Sequence, residues 1–415
     1  MIRRRVVITG LGCVTALGET TETLFDALCA GQSGISMIEA FDTSAYPVHF
    51  GGEIKNFDVC KYIDKRESKR MDRFTQLAMG AAINAVASSG LDFAQEKDPY
   101  RAGAIIGTGI GGLKTIEEQH CRLIDKGPGK VSPFSVPRLM ANAASGNVAI
   151  QFGLRGPNFC VSSACASGNH AVGEAYWNIV SGRSDVQITG GSEAAVSHIG
   201  LASFCSARAL SRKNETPQEA SRPFDRDRDG FVLAEGAGIL VLEEYERAKQ
   251  RGATIYAELL GYSATDDGHH ITSPLSDGAG AAKAMELALE HAQLNPEDVD
   301  YINAHGTGTE LNDLAESAAI RNVFKTHAPK LSISSTKSML GHMLGATAAV
   351  ELIVAIMTIH KGIIPPTINL DNPDERCGTD LDFVPLKAKE RDVKIAISNS
   401  LGFGGHNSTL VVGKV

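Results

Sequence analysis

Residues 158–172, NFCVSSACASGNHAV, form the stretch that decides the fold. Residues 158–162 predict a strand, and the small residues after them predict a helix over about 166–180. Residues 331–347, LSISSTKSMLGHMLGAT, repeat the order of strand, paired serines, polar turn and small-residue helix. Paired serines at a strand end are common by themselves. The repeat nevertheless favours an ancient duplication, because reactive residues follow both strands.

Strand-like and helix-like segments alternate along the remaining chain. Short β-branched runs at 6–9, 102–106, 186–189 and 239–242 predict strands, and 71–90 has helical spacing of its apolar residues. The pattern continues after Gly252, with a helix over 279–292 and strands at 299–304 and 331–334. This alternation predicts an α/β fold with largely parallel strands. The division between halves is placed at Gly252, which gives segments 1–252 and 253–415.

Composition excludes several classes of protein. The 415 residues carry 40 Lys and Arg against 48 Asp and Glu, a net charge of −8, which argues against a general nucleic-acid binder. The apolar run after the basic start, MIRRRVVITGLG, is too short for a signal peptide. The most apolar segment, 346–359, is short and contains Glu351, so it predicts a buried helix and no membrane span. A cytoplasmic protein, or an organellar one without its targeting peptide, is expected.

Cys165 is the strongest candidate nucleophile among eight cysteines. None of the eight has CxxC spacing, which argues against a zinc ribbon or a redox dithiol. Cys165 lies where a strand turns into a helix, so the free N–H groups and positive end of that helix are expected to lower its pKa. The same N–H groups could stabilise an oxyanion on an attacked carbonyl. The other cysteines are interpreted as small buried residues.

Two histidines and a lysine stand at similar strand ends. His305 occurs in NAHGTGTELND and His342 in STKSMLGHMLGA, where Lys337 precedes it by five residues. Ends of buried strands are where α/β folds place their sites. One thiol, two imidazoles and an ammonium fit thioester chemistry: the thiolate takes an acyl group and the imidazoles hold an enolate oxygen. Each histidine could instead be an ordinary loop residue, and Lys337 a surface ion-pair partner.

Two further patterns are weaker. Residues 107–112, GTGIGG, match a dinucleotide fingerprint, but the chain has 43 glycines and Asp125 is placed past a helix, so a nucleotide cofactor is rejected. Basic residues recur every four positions, at Lys61, Lys65, Lys69 and Arg73, with Arg66 and Arg70 beside them. On one helix they would make a basic face, which in an acidic protein could dock an acidic partner.

Taken together, these motifs resemble the β-ketoacyl-acyl-carrier-protein synthases, and among them the type II elongating enzymes. The resemblance extends from VVITGLGCVTALG to NSLGFGGHN and rests on SSACASG, AHGTGT, SSTKSMLGHMLGA and GFGG in this order. It implies a thiolase-like fold, a five-layered αβαβα sandwich of two similar halves, in a homodimer. Glu310, Leu401 and His406 depart from the commonest family pattern, which leaves gating and chain-length preference open.

The resemblance also implies roles for individual residues. Cys165 matches the nucleophile, His305 and His342 the pair that promotes decarboxylation, and Lys337 the lysine that organises the site. The backbone N–H groups of Cys165 and Phe403 match the oxyanion hole. The acyl pocket is implied at Ile110, Phe204 and Phe403, the phosphopantetheine contacts at Thr272, Ser273, Thr307 and Thr309, the carrier-protein docking surface at Arg66, Lys69, Arg70 and Arg208, and structural support at Glu351 and Asp313.

The activity implied is decarboxylative Claisen condensation of malonyl- with acyl-carrier protein, an acyltransferase reaction of fatty-acid elongation. No resident cofactor or metal is implied, because phosphopantetheine arrives on the carrier protein. Four alternatives stay open at this point. They are a biosynthetic thiolase, a type I or polyketide ketosynthase, a non-catalytic chain-length subunit, and a Cys-His hydrolase.

Overall fold

The computed structural model describes residues 4–415. The strands of the described chain are β1 Val6–Val14, β2 Ser36–Met37, β3 Phe50–Gly51, β4 Ala102–Gly107, β5 Asn158–Val161, β6 Val186–Ala194, β7 Glu235–Glu244, β8 Ala257–Asp266, β9 Tyr301–Asn303, β10 Ser332–Ser334, β11 Ile363–Ile364, β12 Lys389–Glu390, β13 Ile395–Gly402 and β14 His406–Gly413. The helices are α1 Thr21–Cys29, α2 Lys65–Ser68, α3 Arg73–Ser89, α4 Leu113–Lys126, α5 Ser135–Leu139, α6 Ala143–Phe152, α7 Ser167–Val180, α8 His198–Ser206, α9 Tyr245–Gln250, α10 Ala279–Ala292, α11 Glu310–Phe324, α12 Lys337–Leu340 and α13 Thr347–Lys361.

Two five-stranded halves make up the main sheet and share one topology. The order is β5-β4-β6-β7-β1 in the first half and β10-β9-β13-β14-β8 in the second. Numbered along its own segment, each half has the order 3-2-4-5-1, with the fifth strand antiparallel to both neighbours. The halves meet where β1 pairs with β8 through Val7 and Ile8. Two unrelated segments would not be expected to repeat both order and direction, so the topology supports the duplication.

The helices complete the five layers. Helix α3 packs on the outer face of β1, β6 and β7, and α6 on β4 and β5. Helices α7 and α13 contact each other and pack between the two half-sheets. Helix α10 covers β8 and β14 on the other outer face, with α11 against it. The fold is therefore the thiolase-like αβαβα sandwich that the motifs implied. The division at residue 252 falls between α9 and β8 and stays a prediction.

The prediction of largely parallel strands was wrong. Within the main sheet, β4 pairs in parallel with β5 and β6, and β9 with β10 and β13. The other five pairings of the described sheet are antiparallel. One reason is local: a short glycine-rich turn joins β13 to β14, and only antiparallel neighbours can be joined so tightly.

The central helix α13 explains the most apolar segment of the sequence. In the described chain, only Leu344–Lys361 is long and apolar enough to cross a membrane, and 89% of it is buried inside the protein. Glu351 lies within this segment and is itself buried. The segment is thus the core helix of the sandwich, as the sequence predicts.

Candidate active site

Cys165 lies on a sharp turn between β5 and α7. Ala164 has a positive φ of 50°, a conformation that side chains other than glycine rarely adopt, and it aims the next residue into a cavity. Ser400 donates its hydroxyl to the carbonyl of Cys165 at 3.0 Å. A Cβ added to Gly402 would lie 3.2 Å from the Cys165 nitrogen, so a side chain there would require the strand or the turn to shift by a few tenths of an ångström. The turn is therefore held in place by residues of the second half.

Both histidines converge on the thiol. His342 Nε2 lies 3.0 Å from Cys165 Sγ, and its Nδ1 lies 2.9 Å from the Thr347 hydroxyl at the start of α13. The rings of His305 and His342 stand 5.4 Å apart and nearly perpendicular. Both histidines are almost fully buried. Segments that follow three different strands, β5, β9 and β10, thus bring one thiol and two imidazoles to the same point.

Lys337 supports this group from behind. Its ammonium donates to Glu351 Oε1 at 2.6 Å and to the backbone carbonyl of His305. Both side chains of the Lys337–Glu351 pair are 1% exposed. A buried ion pair of this kind fixes geometry more than it adds stability. Lys337 therefore determines where the backbone of His305 stands.

Two buried carboxylates hold the loop that carries His305. Glu316 accepts the N–H groups of His305 and Gly306, each at 2.8 Å. Asp313 accepts the N–H groups of Thr307 and Gly308 through Oδ1 and that of Phe224 through Oδ2. Burial raises the pKa of Glu316 to about 7, and the two N–H bonds oppose that rise. The loop is thus anchored by α11, which carries both acids.

The electrostatics of the site corrects one expectation. Burial raises the pKa of the Cys165 thiol to about 11, while the Lys337 charge and the Phe403 N–H act to lower it. The prediction that the helix end gives a lowered pKa was wrong, because desolvation outweighs it. Burial, then the Lys337 charge, holds the pKa of both His305 and His342 well below the usual value of 6.5. At neutral pH the resting site therefore contains a thiol and two neutral imidazoles.

A cavity of about 490 Å³ opens onto these groups. Its described lining includes Cys165, His305 and His342, all three residues predicted for the acyl pocket, all four predicted for phosphopantetheine, and Arg208. Thr272, at its mouth, is exposed, whereas Thr307 is buried. The structure thus brings together every predicted residue of the reacting group, the pocket and the arm. Lys337, Glu351 and Asp313 stand outside the lining and act on it through contacts.

The basic residues of 61–73 do not form the single helical face that their spacing indicated. Asp64 caps α2 by accepting the Arg66 N–H, and Asp72 caps α3 by accepting the Phe74 N–H. These caps divide the segment into a turn and two helices. Arg73 turns inward and pairs with buried Glu235 at 2.7 Å. Arg66, Lys69 and Arg70 are exposed, as a docking surface requires.

Several residues of the site had escaped notice in the sequence. Thr347 orients His342, Glu316 anchors His305, and Glu193 accepts bonds from two loops that line the cavity. For Glu193 a signal existed, since it is the only acid in the small and apolar run 186–196. Charged side chains are seldom buried inside a strand unless they bind a partner there. The other two act through contacts that no local pattern shows.

The same reactive atoms could also suit a metal ion. The ligand atoms of Cys165, His305 and His342 lie within 4.8 Å of one another. A thiolate and two imidazoles are ligands that zinc accepts. The Lys337 ammonium, however, is close enough to act on the titration of all three groups. A neighbouring cation opposes a divalent ion at this point.

The fold and the cavity define the class of protein: a thiolase-like enzyme with a thiol and two imidazoles at the meeting point of duplicated halves. The N-terminal domain of β-ketoacyl synthases matches residues 3–248 and the C-terminal domain matches residues 256–371. The chain belongs to the β-ketoacyl synthase family.

Curated relatives agree over the full length. The chain is 48% identical to a 3-oxoacyl-[acyl-carrier-protein] synthase 2 of Synechocystis sp., over 99% of this chain and 98% of the relative. It is 47% identical to the synthase of the same name from Vibrio harveyi, over all of both chains. The names of these relatives confirm the type II β-ketoacyl-acyl-carrier-protein synthase that the motifs indicated.

Solved structures share the architecture. A β-ketoacyl synthase from Burkholderia phymatum superposes with a TM-score of 0.91 at 36% identity, over 99% of this chain and all of the other. A ketosynthase of a type II polyketide system, solved in complex with its acyl-carrier protein, superposes with a TM-score of 0.92 at 35% identity over both chains in full. Both confirm the fold that the motifs implied.

Proposed function

We propose that this enzyme elongates fatty acyl chains by decarboxylative Claisen condensation of malonyl- with acyl-carrier protein, through an acyl-Cys165 intermediate. The observation that carries the proposal is the contact between Cys165 Sγ and His342 Nε2 at 3.0 Å inside a cavity that also holds His305. A thiol can take an acyl group, and two neutral imidazoles can donate N–H bonds without giving up their protons.

The first half-reaction acylates the thiol. Cys165 Sγ attacks the carbonyl of the acyl thioester, a new C–S bond forms, and the C–S bond to phosphopantetheine breaks. The thiol proton leaves by way of His342 Nε2 and ends on the departing sulfur. The N–H groups of Cys165 and Phe403 stabilise the tetrahedral oxyanion, and the Phe403 N–H already faces the sulfur in the resting site.

The second half-reaction makes the carbon–carbon bond. His305 and His342 donate N–H bonds to the thioester oxygen of the malonyl group, which stabilises the enolate as carbon dioxide leaves. The enolate carbon attacks acyl-Cys165, the C–S bond breaks, and the Cys165 thiolate takes up a proton. The product is a 3-oxoacyl thioester two carbons longer. Lys337 holds His305 by its carbonyl, and Asp313 and Glu351 act as support.

The cavity walls divide into two regions. Ile110, Phe204 and Phe403 present apolar surface beside Cys165 and are proposed to receive the acyl chain. Thr272, Ser273, Thr307 and Thr309 present hydroxyls and are proposed to bind the phosphopantetheine arm. Arg66, Lys69, Arg70 and Arg208 are exposed basic residues, proposed to meet an acidic acyl-carrier protein. One structural relative is a ketosynthase solved in complex with its acyl-carrier protein, which supports a protein of that class as the partner.

We also propose a homodimer built on β5. This strand lies at the end of the sheet, and its free edge leaves Phe159 39% exposed. Three helices, α4, α5 and α6, pack in a row beside β5. They expose further large apolar side chains at Ile116, Val136 and Ile150. An open strand edge flanked by apolar surface favours pairing with a second copy. Sedimentation of Phe159→Lys should show monomer where the parent chain shows dimer; a monomeric parent would contradict the proposal.

The chemistry proposed needs no resident cofactor or metal. Loss of carbon dioxide generates the carbon nucleophile, and the reactive thioester is carried by the partner protein. The Lys337 charge further disfavours a metal ion at the thiol, as argued above. We propose a cytoplasmic enzyme that acts on neither nucleic acid nor membrane, because the net charge is −8 and, within residues 4–415, the one apolar helix of sufficient length to span a membrane is buried in the core.

Polyketide synthesis is the second candidate. The ketosynthase of a type II polyketide system superposes closely, and so does the ishigamide ketosynthase/chain length factor, at a TM-score of 0.93. Their identity to this chain is 35–37%, against 47–48% for the fatty-acid relatives over full length. The difference favours fatty-acid elongation. A non-catalytic chain-length subunit is disfavoured because Cys165 and both histidines stand together.

Product analysis tests the proposed reaction. Octanoyl-carrier protein and malonyl-carrier protein labelled with carbon-13 at the methylene carbon are incubated with the enzyme. We expect 3-oxodecanoyl-carrier protein with the label between its two carbonyl groups, and one carbon dioxide per product. Free octanoate as the main product would instead indicate a hydrolase, and a product retaining the malonyl carboxyl would exclude the decarboxylative route.

A further inference from the structure

Glu193 is a buried acid that the proposed reaction does not use. It stands in β6 and is fully buried, and none of the ion pairs found in residues 4–415 includes it. Burial raises the pKa of Glu193 to about 7, and hydrogen bonds from backbone N–H groups and a hydroxyl act against this rise. A carboxylate held only by such donors is costly to bury, so its position calls for an explanation.

The four donors belong to two separate segments. The acyl-pocket loop, residues 108–111, supplies the Thr108 hydroxyl at 2.9 Å, the Gly109 N–H at 2.7 Å and the Ile110 N–H at 3.3 Å. The histidine loop, residues 342–347, supplies the Gly345 N–H at 3.2 Å. Glu193 Oε2 accepts from both Gly109 and Gly345. One carboxylate oxygen thus joins the loop that carries Ile110 to the loop that carries His342.

The two loops touch where Glu193 joins them. A Cβ on Gly345 would lie 2.4 Å from the Gly109 nitrogen, which leaves no room for a side chain. A Cβ on Gly109 would lie 3.5 Å from the carbonyl of Ala164, the residue before the nucleophile. The position of Ile110 relative to Cys165 and His342 is therefore set at this junction, and Glu193 is its only charged member.

We propose that Glu193 is a positioning residue that locks the acyl-pocket loop to the histidine loop, and thereby sets how sharply the enzyme discriminates between acyl chain lengths. The inference rests on the proposed function, since it concerns the acyl pocket of that reaction. Ile110 forms one wall of the cavity, and its backbone is held by the same carboxylate that holds the segment after His342. Without this bond the wall is less fixed, and short and long chains are distinguished less.

The substitution Glu193→Gln tests the carboxylate itself. Glutamine has the same shape, but one of its two acceptor atoms becomes an NH₂ group that would face N–H donors. With its oxygen in the place of Oε2, glutamine can still accept from Gly109 and Gly345, but its NH₂ group then faces the Ile110 N–H, so that bond is lost together with the charge. Glu193→Asp keeps the charge but is shorter by one methylene, so it should release one of the two loops, and it serves if the glutamine variant fails to fold.

Glu235→Gln is the matched control. Glu235 is a buried acid on the neighbouring strand β7, one register position from Glu193, but it binds Arg73 and the Ile54 N–H and none of the cavity loops. Its substitution should destabilise the same region of the sheet without altering the cavity. A loss of stability alone is therefore separated from a loss of positioning.

The measurement compares octanoyl- with dodecanoyl-carrier protein as acyl donors, with rates normalised to titratable Cys165. In Glu193→Gln the ratio of kcat/KM for octanoyl- to that for dodecanoyl-carrier protein should move toward one by a factor of about three or more, because a hydrogen bond to a charged acceptor is lost. Malonyl decarboxylation should fall about tenfold in kcat, with little change in KM. Glu235→Gln should keep the parent ratio.

An unchanged ratio in Glu193→Gln and Glu193→Asp would overturn the inference, as would an equal change in Glu235→Gln. Failure of the proposed function looks different. In that case the parent enzyme itself forms no acyl adduct on Cys165, and no ratio can be measured for any variant.

Discussion

Cys165 and Lys337 stand after equivalent strands in the two halves, yet they have opposite environments. Cys165 follows β5 on a turn strained at Ala164 and lines the cavity. Lys337 follows β10, begins a short helix, and is enclosed with only 1% of its side chain exposed. The first residue is open to an acyl group, whereas the second touches Glu351 and the His305 carbonyl. The same position in a duplicated unit thus gives a reacting group in one half and a supporting charge in the other.

The difference shows that the duplication places a residue at the same position in each half, and that the burial of that residue decides whether it reacts or supports the site. The segments that follow the two strands meet at the active site, where His342 Nε2 lies 3.0 Å from Cys165 Sγ. A thiol there reacts because substrate can reach it, and an ammonium there acts at a distance because substrate cannot. The comparison predicts that the two residues fail in different ways when substituted.

The largest effect should come from substituting Cys165, the residue that substrate can reach. Cys165→Ala eliminates the acyl acceptor, so elongation should fall by about 10³-fold or more. The histidines and Lys337 remain, so malonyl-carrier protein should still be decarboxylated. Release of carbon dioxide and formation of 3-oxoacyl product are measured in parallel. Persistent elongation would show that the nucleophile lies elsewhere.

His305→Ala and His342→Ala should come next. Each removes one N–H donor to the enolate oxygen, a loss that usually costs about 10²–10³ in rate. Acylation should remain in His305→Ala, whereas His342→Ala should slow it as well, because the thiol proton leaves through His342 Nε2, 3.0 Å from Cys165 Sγ. Burst acylation with octanoyl-carrier protein is compared with steady-state elongation, and equal losses in both steps for His305→Ala would contradict its placement in the second half-reaction.

Lys337→Met tests the supporting role of the buried lysine. The Lys337 charge lowers the thiol pKa against burial, so its removal should move the pKa of Cys165 further up, from about 11. Alkylation of Cys165 at a fixed pH below that value should slow about tenfold for each unit of rise. Breaking a buried pair also costs about 3–5 kcal/mol of stability. Glu351→Gln breaks the same pair and keeps the ammonium; an equal slowing there would exclude the charge as the cause.

The smallest effect is expected for the basic residues at the surface. Single substitutions of Arg66, Lys69 or Arg70 to Glu should raise KM for acyl-carrier protein a few-fold, more at low salt, because exposed charges act mainly on association. KM for a small acyl-pantetheine thioester should not change. Arg70 already pairs with Glu67 at 3.0 Å, so its effect should be weaker than that of Lys69. An equal rise for the small thioester would place these residues elsewhere in the mechanism.

Local sequence was sufficient where local physics decides. The helix after Cys165 and the helix that ends at Gly90 follow from small-residue spacing and from a glycine in the left-handed conformation. The glycines of the GFGG and HGTGT segments predict tight turns at strand ends. The basic segment 61–73 shows the limit, because its spacing of four predicts one helix, whereas Asp64 and Asp72 act as caps that divide it.

Long-range contacts account for what remained hidden. The inward turn of Arg73 depends on Glu235, 162 positions away, and the junction at Glu193 depends on Gly345, 152 positions away. The raised pKa of the Cys165 thiol depends on desolvation by residues of both halves around the cavity. No periodicity in a single segment carries such information, whereas the motifs themselves still marked which residues would meet.

Peptide mass spectrometry of a single turnover tests the central claim most directly. The enzyme is mixed with octanoyl-carrier protein, quenched and digested, before and after addition of malonyl-carrier protein. The account predicts an octanoyl adduct confined to the peptide that contains Cys165, which disappears on addition of malonyl-carrier protein as 3-oxodecanoyl-carrier protein appears. An adduct on another residue, or one discharged only as free octanoate, would contradict it.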